Sequence, residues 1–103
     1  MLILTTDTVP GRTVDPLGLV RGSTVRAKHI GSDIVASLRN LVGGEVKEYA
    51  ALMAGAREQA LDRMIDEARA LGADAVIAVR FESSMISDGA SEILAYGTAV
   101  KLS

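Results

Sequence analysis

The residues able to do chemistry are few and widely spaced. The only histidine, His29, stands in Lys28-His29-Ile30-Gly31. Acid–base work there would need Asp33 or a carboxylate from another chain, and a structural histidine is the plainer reading. Glu58, Asp62 and Asp66 recur at four-residue intervals, which aligns three carboxylates on one helical face. Such a row can hold a hard cation loosely, but it lacks the liganding loop that gives calcium sites their affinity, so a solvated face is the plainer reading. Gly43-Gly44-Glu45 is a glycine-rich junction leading into a helix, and a helix N-terminus can receive an anion. The Lys-Ser/Thr of a phosphate-binding loop does not follow it, which favours a hinge. Asp7 and Asp15 flank a Pro/Gly loop, where aspartate commonly forms turns.

What is missing narrows the chemistry further. The chain has no cysteine, which excludes disulfides, thiolate metal sites, iron–sulfur clusters and thiol nucleophiles. Aromatics make up 3% with no tryptophan, and the net charge is −2, so neither stacking platforms nor a basic surface recommend nucleic acid as a partner. No stretch approaches the ~20 apolar residues of a membrane span. Met1-Leu2-Ile3-Leu4-Thr5-Thr6-Asp7 has no basic leader, and its apolar run is short for a signal peptide. A cytoplasmic protein is expected. With 103 residues, 49% hydrophobic and 23% charged, the chain suits one globular domain over residues 1–103.

The elements that must position these residues follow from periodicity. Leu2–Thr6 reads as a short strand and Asp7–Pro16 as a turn-rich connection. Leu19–Ala27 alternates, with Leu19, Arg21, Ser23 and Val25 on one side, and Gly22 marks a bulge or a close approach. A short helix is expected next, capped by Ser32 or Asp33, carrying Ile34, Val35, Leu38, Leu41 and Val42, and stopped by Gly43-Gly44. A long helix runs from Glu45 or Lys47 to Leu71, with Gly72 as a left-handed C-cap. Ala75–Glu82 and Glu92–Leu102 are strands joined by a Ser83–Ser91 loop. Ile77, Val79 and Phe81 are expected on one core face, and Gly97 where another backbone comes close. The order β-β-α-α-β-β gives an α+β fold, an antiparallel or mixed sheet packed on a short and a long helix.

On a helical projection Tyr49, Leu52, Met53, Ala56, Leu61, Met64 and Ile65 spread over an arc of ~220° at ~100° per residue. One face packed on one sheet needs little more than ~100°. Arg57 and Glu67 fall inside that arc, where unpaired burial is costly. An interface is the economical reading, with Arg57, Glu67, Tyr49 and the Gly43-Gly44 turn as candidate ligand-binding or interface residues.

Ile3-Leu4-Thr5-Thr6, Leu41-Val42-Gly43-Gly44 followed by Tyr49, Ala56-Arg57, Ala68-Arg69-Ala70-Leu71-Gly72-Ala73-Asp74-Ala75-Val76 and Tyr96-Gly97-Thr98-Ala99-Val100-Lys101 together resemble the YbjQ-like family over nearly the whole chain. These are uncharacterised proteins often described as heavy-metal-binding. The resemblance implies a dodecin-like α+β subunit, a homopentamer and a bound metal ion. Soft metals prefer thiolates, absent here; Met53 and Met64 lie on the core stripe and Met1 is terminal, which leaves Met85 as the candidate exposed thioether, so oxygen ligands with His29 would have to serve. The expected function is a non-enzymatic homo-oligomeric protein binding a small ligand or metal ion. The alternatives are an enzyme with a site shared between subunits, or a structural ring.

Overall fold

In a computed structural model of the chain, residues 1–27, 44–87 and 90–103 are described. They form strands β1 (Leu2–Ile3) and β2 (Val14–Ala27), helix α1 (Gly44–Ala70), and strands β3 (Ala75–Ser87) and β4 (Ala90–Leu102). The fold is α+β, with a four-stranded mixed sheet in the order β1-β3-β4-β2. β1 runs parallel to β3, while β2 and β3 both pair antiparallel with β4. The expected short helix, His29 and Gly43 lie outside the described residues.

Three strands, β2, β3 and β4, are longer than their composition suggests. Ser83–Ser87 was expected in a loop, yet the β3–β4 ladder continues to the pair Ser87↔Ala90. Asp88 and Gly89, between that pair in sequence, lie outside the described residues. β2 begins at Val14, five residues before the expected start, and takes in Pro16. Proline is tolerated because β2 is an edge strand among the described residues and its register shifts between Pro16 and Gly18. β1 is shorter than expected in regular pairing, but Leu4 N–H donates to Val76 O at 2.9 Å and Val79 N–H to Leu4 O at 3.0 Å.

The β3 faces need correction. Ala78 takes φ +53°, and the register slips between Ile77 and Arg80. Two residues of β3 thus oppose one of β4, which makes a β-bulge. Val76 and Val79 both enter the cluster under the helix, whereas Ile77 joins Ala75 and Val100 on the opposite side. Phe81, expected in the core, is 49% exposed. It shares the helix side with its register partner Ala95, but α1 lies across β2 and β4 and barely reaches β3. Gly97 sits at the bulge, and a Cβ there would stand 2.9 Å from Ile77 O and 2.8 Å from Val76 Cγ1. The close approach expected at Gly97 is present.

The helix touches the sheet along a line of small residues. Ala56, Ala60, Met64 and Ala68, each four residues on, are fully buried, while Met53, Leu61 and Ile65 pack against them half-buried. A four-residue repeat drifts ~40° around the helix per step, because four residues overshoot one turn of 3.6. The buried line is therefore narrow and oblique. Small side chains let α1 seat directly on β2: a Cβ at Gly22 would collide with Ala60 O and Met64 N and stand 2.7 Å from Arg63 Cβ. Of the two readings of Gly22, close approach holds. Gly72 closes the helix as expected at φ +75°, with Ala73 N–H on Ala68 O at 3.1 Å and Gly72 N–H on Arg69 O at 2.9 Å. This is the Schellman pattern.

Facing α1 from β2, Thr24 is 2% exposed, and among the described residues its hydroxyl has no hydrogen-bond partner. An unpaired buried hydroxyl costs about 1–3 kcal/mol, whereas an isosteric apolar group costs nothing comparable. Thr24→Val should therefore stabilise the fold by about 1 kcal/mol, read as a raised urea midpoint at unchanged slope.

Candidate functional site

The expected site residues are strung out along one helix. Arg57 and Glu67 are both exposed on α1. They are ten residues apart, which at 1.5 Å per residue separates them by about 15 Å along the axis. Gly44 opens α1 and Tyr49 lies in its second turn, so these four positions do not converge on one point of a single chain. Both charges were placed inside the apolar arc, and the drift of the buried line explains their exposure. Arg57 flanks the line where it runs through Ala56 and Ala60, and Glu67 flanks it where it has moved to Met64 and Ala68.

The acidic row Glu58, Asp62 and Asp66 is exposed, with Asp66 3.9 Å from Arg69, a surface pair of little energetic weight. Among the described residues no three of His, Cys, Asp and Glu are grouped to hold a metal ion. The thioethers do not gather either. Met64 is fully buried, while Met1 and Met85 are 43% and 75% exposed. Leu2 pairs with Ala75 at one end of β3, and ten residues of strand then separate that level from Met85, about 33 Å. The donor set of the described residues does not fit a soft metal.

Among the described residues a group of charged and aromatic side chains gathers on the face of the sheet opposite α1, and sequence reasoning missed it. Register places Arg21, Tyr96 and Arg80 in one row across β2, β4 and β3, and Ser23, Leu94 and Glu82 in the next. Tyr96, half-buried, donates its hydroxyl to Glu82 Oε1 at 3.3 Å. Arg80 Nη1 donates to Thr5 O at 2.9 Å and Val79 O at 2.8 Å, which fixes its stem beside the β3 bulge. Leu19, Arg21, Glu82, Leu94 and Tyr96 line an open depression of about 330 Å³. Leu19 and Val25, on the same face of β2, are 64% and 50% exposed. The alternation in β2 already put Leu19, Arg21, Ser23 and Val25 together. What sequence could not supply is the pairing of Arg80 and Glu82 with Tyr96 and Leu94, which depends on cross-strand register and on the slip between Ile77 and Arg80.

No described helix is long and apolar enough to cross a membrane. A family described as "Putative heavy-metal-binding" matches residues 1–103. Similar proteins include a UPF0145 protein of Methanosarcina acetivorans, 54% identical over 99% of this chain and 97% of its own. Another, from Archaeoglobus fulgidus, is 58% identical over 99% of this chain and 95% of its own. A crystal structure of a protein of unknown function from Pediococcus pentosaceus, assigned to the DUF74 family, covers 100% of this chain and 98% of its own at a TM-score of 0.70. At 16% identity that likeness speaks for the fold alone.

Proposed function

The chain belongs to the YbjQ-like family, and on that premise we propose a non-enzymatic homo-oligomer that binds a small ligand or ion between its subunits. The carrying observation is the uncovered helix-side flank of β3. Phe81 and Met85 stand there 49% and 75% exposed, beyond Val76 and Val79, where β3 enters the core under the helix. Exposed apolar surface of this kind beside a folded core marks a contact with another protein.

The subunit's shape supports the same reading. Its extents are 55 × 22 × 17 Å and its radius of gyration is 17.2 Å, against about 13 Å for a compact domain of this size. Long elements in a thin subunit leave surface for a neighbour to cover. Arg57 and Glu67, too far apart to meet in one chain, would each line a boundary with a neighbouring subunit, with Tyr49 and the Gly43-Gly44 junction toward the same helix's start. The dodecin-like grouping of the subunit, five copies per ring and a cytoplasmic location complete the proposal. A metal, if the ring holds one, would take oxygen ligands and His29 collected at a subunit junction.

Native mass spectrometry of untagged protein purified without chelator, with elemental analysis of the same sample, tests this. A fivefold mass carrying a stoichiometric addition is the expected result, and a monomeric mass overturns it. Phe81→Glu should shift the mass to the monomer with the circular dichroism spectrum intact. Arg57→Ala should weaken assembly or release the bound species; if both are unchanged, Arg57 leaves the site.

A further inference from the structure

We propose that the face of the sheet opposite α1 is a self-complementary docking surface for a second copy of this chain, separate from the β3 flank. The argument rests on the order of its rows. From the base of the sheet toward the hairpin tip, the rows read Leu19–Thr98–Ile77, Arg21–Tyr96–Arg80, Ser23–Leu94–Glu82 and Val25–Glu92–Ser84. The basic row lies on the base side and the acid residues Glu82 and Glu92 on the tip side. The face is thus electrically polar along the strand direction.

A two-fold axis lying in this face, across the strands and midway between the two central rows, exchanges those rows between copies. Arg80 then opposes the other copy's Glu82, Tyr96 opposes its Leu94, and exposed Leu19 opposes its exposed Val25. Every contact is made twice, as an isologous interface requires, and the strands of the two sheets run in opposed directions with their axes aligned, a common sheet-on-sheet packing. The opposite registration, base on base, would set the arginines against each other. The depression is too open to enclose most of a small molecule's surface, as ligand pockets do, but the apolar side chains of Leu19, Leu94 and Tyr96 between Arg21 and Glu82 suit another sheet. Strand spacing gives an area of about 400 Å² per copy. About 800 Å² in total is the size of a weak, concentration-dependent contact.

Charge exchange tests the pairing. Glu82→Arg puts arginine opposite arginine, and Arg80→Glu puts glutamate opposite glutamate, so each variant alone should lose at least tenfold in self-association through this face. Mixed together they restore opposite charges at both symmetric positions and should recover it. Sedimentation velocity at about 100 μM, chosen because a face of this size is weak, reads the association. Loss without recovery on mixing, or no loss, overturns the proposal. Arg80→Glu also removes two backbone contacts, so a second test is independent of it. Leu19→Cys and Val25→Cys, in a chain with no other thiol, are mixed with a short bis-maleimide. The unlike pair should cross-link at least tenfold more than either like pair; equal yields, or none, overturn the proposal. Phe81→Glu, which addresses the other surface, should leave the cross-link intact, so the two readings fail separately.

Discussion

Gly22→Ala is expected to destabilise the fold by about 3 kcal/mol or more, lowering the melting temperature by more than about 12 °C in a chain of this size. The added methyl would meet Ala60 O and Met64 N, both backbone atoms of α1, and come within 2.7 Å of Arg63 Cβ. No rotamer change relieves a clash with a helix backbone. The whole of α1 would have to lift from β2, opening gaps along Ala56, Ala60, Met64 and Ala68, which are all fully buried. Overpacking of an ordinary core site costs about 1–3 kcal/mol, and this site lacks the side-chain slack that sets the lower value. Gly55→Ala is the matched control. A Cβ there meets nothing within 4 Å, and alanine in an exposed helix interior gains about 0.5–1 kcal/mol over glycine. Thermal melts of the pair should move in opposite directions. A Gly22→Ala chain melting within 2–3 °C of the parent, less than ~1 kcal/mol at this length, would mean that α1 is not seated on β2 as described.

The second large effect is expected at Gly97, where alanine should cost about 2–3 kcal/mol. Its methyl would stand 2.8 Å from Val76 Cγ1, 2.9 Å from Ile77 O and 3.1 Å from Val79 Cγ2. The two valine methyls can give way by rotation; the carbonyl cannot. The strain falls on the bulge, and behind the bulge lie the hydrogen bonds that hold the first strand, Leu4 N–H to Val76 O and Val79 N–H to Leu4 O. Hydrogen exchange should therefore show protection lost first at the Leu4 and Val79 amides, with the amides of Ala60 and Met64 in α1 retained. Uniform loss across the chain would place the damage elsewhere.

Glycines were the most legible part of the sequence, because each of the three that matter has a reason local enough to read. Gly22 and Gly97 interrupt otherwise alternating strands, and Gly72 follows a periodic helix at the position of its cap. Proline and serine misled in the opposite direction. Pro16 reads as a breaker, but an edge strand with a bulge absorbs it, and Ser83 and Ser84 read as loop formers although their partners Ile93 and Glu92 hold them in a ladder. The arc of α1 was drawn as if the buried line ran straight along the axis; its drift is what leaves Arg57 and Glu67 on the surface. The Arg21–Tyr96–Arg80 row depended on cross-strand register over some 75 residues, and on a left-handed residue that is not glycine. Composition carries no trace of either.

That residue, Ala78, is a phase shifter in a period-two signal. Before it, even-numbered Val76 points under the helix; after it, odd-numbered Val79 and Phe81 point to that side and even-numbered Arg80 and Glu82 to the other. One strand therefore carries two messages in opposite parity. Its first half is written for the interior of its own subunit, and its second half sorts oily from charged side chains for the outside. A sequence that gained or lost a residue at this point would keep every amino acid of the hairpin and yet transpose the two surfaces, setting Phe81 among the charges and turning Arg80 toward the helix side. Related chains can be compared on this basis by parity rather than identity: the position of the slip decides which side of the hairpin a given residue serves.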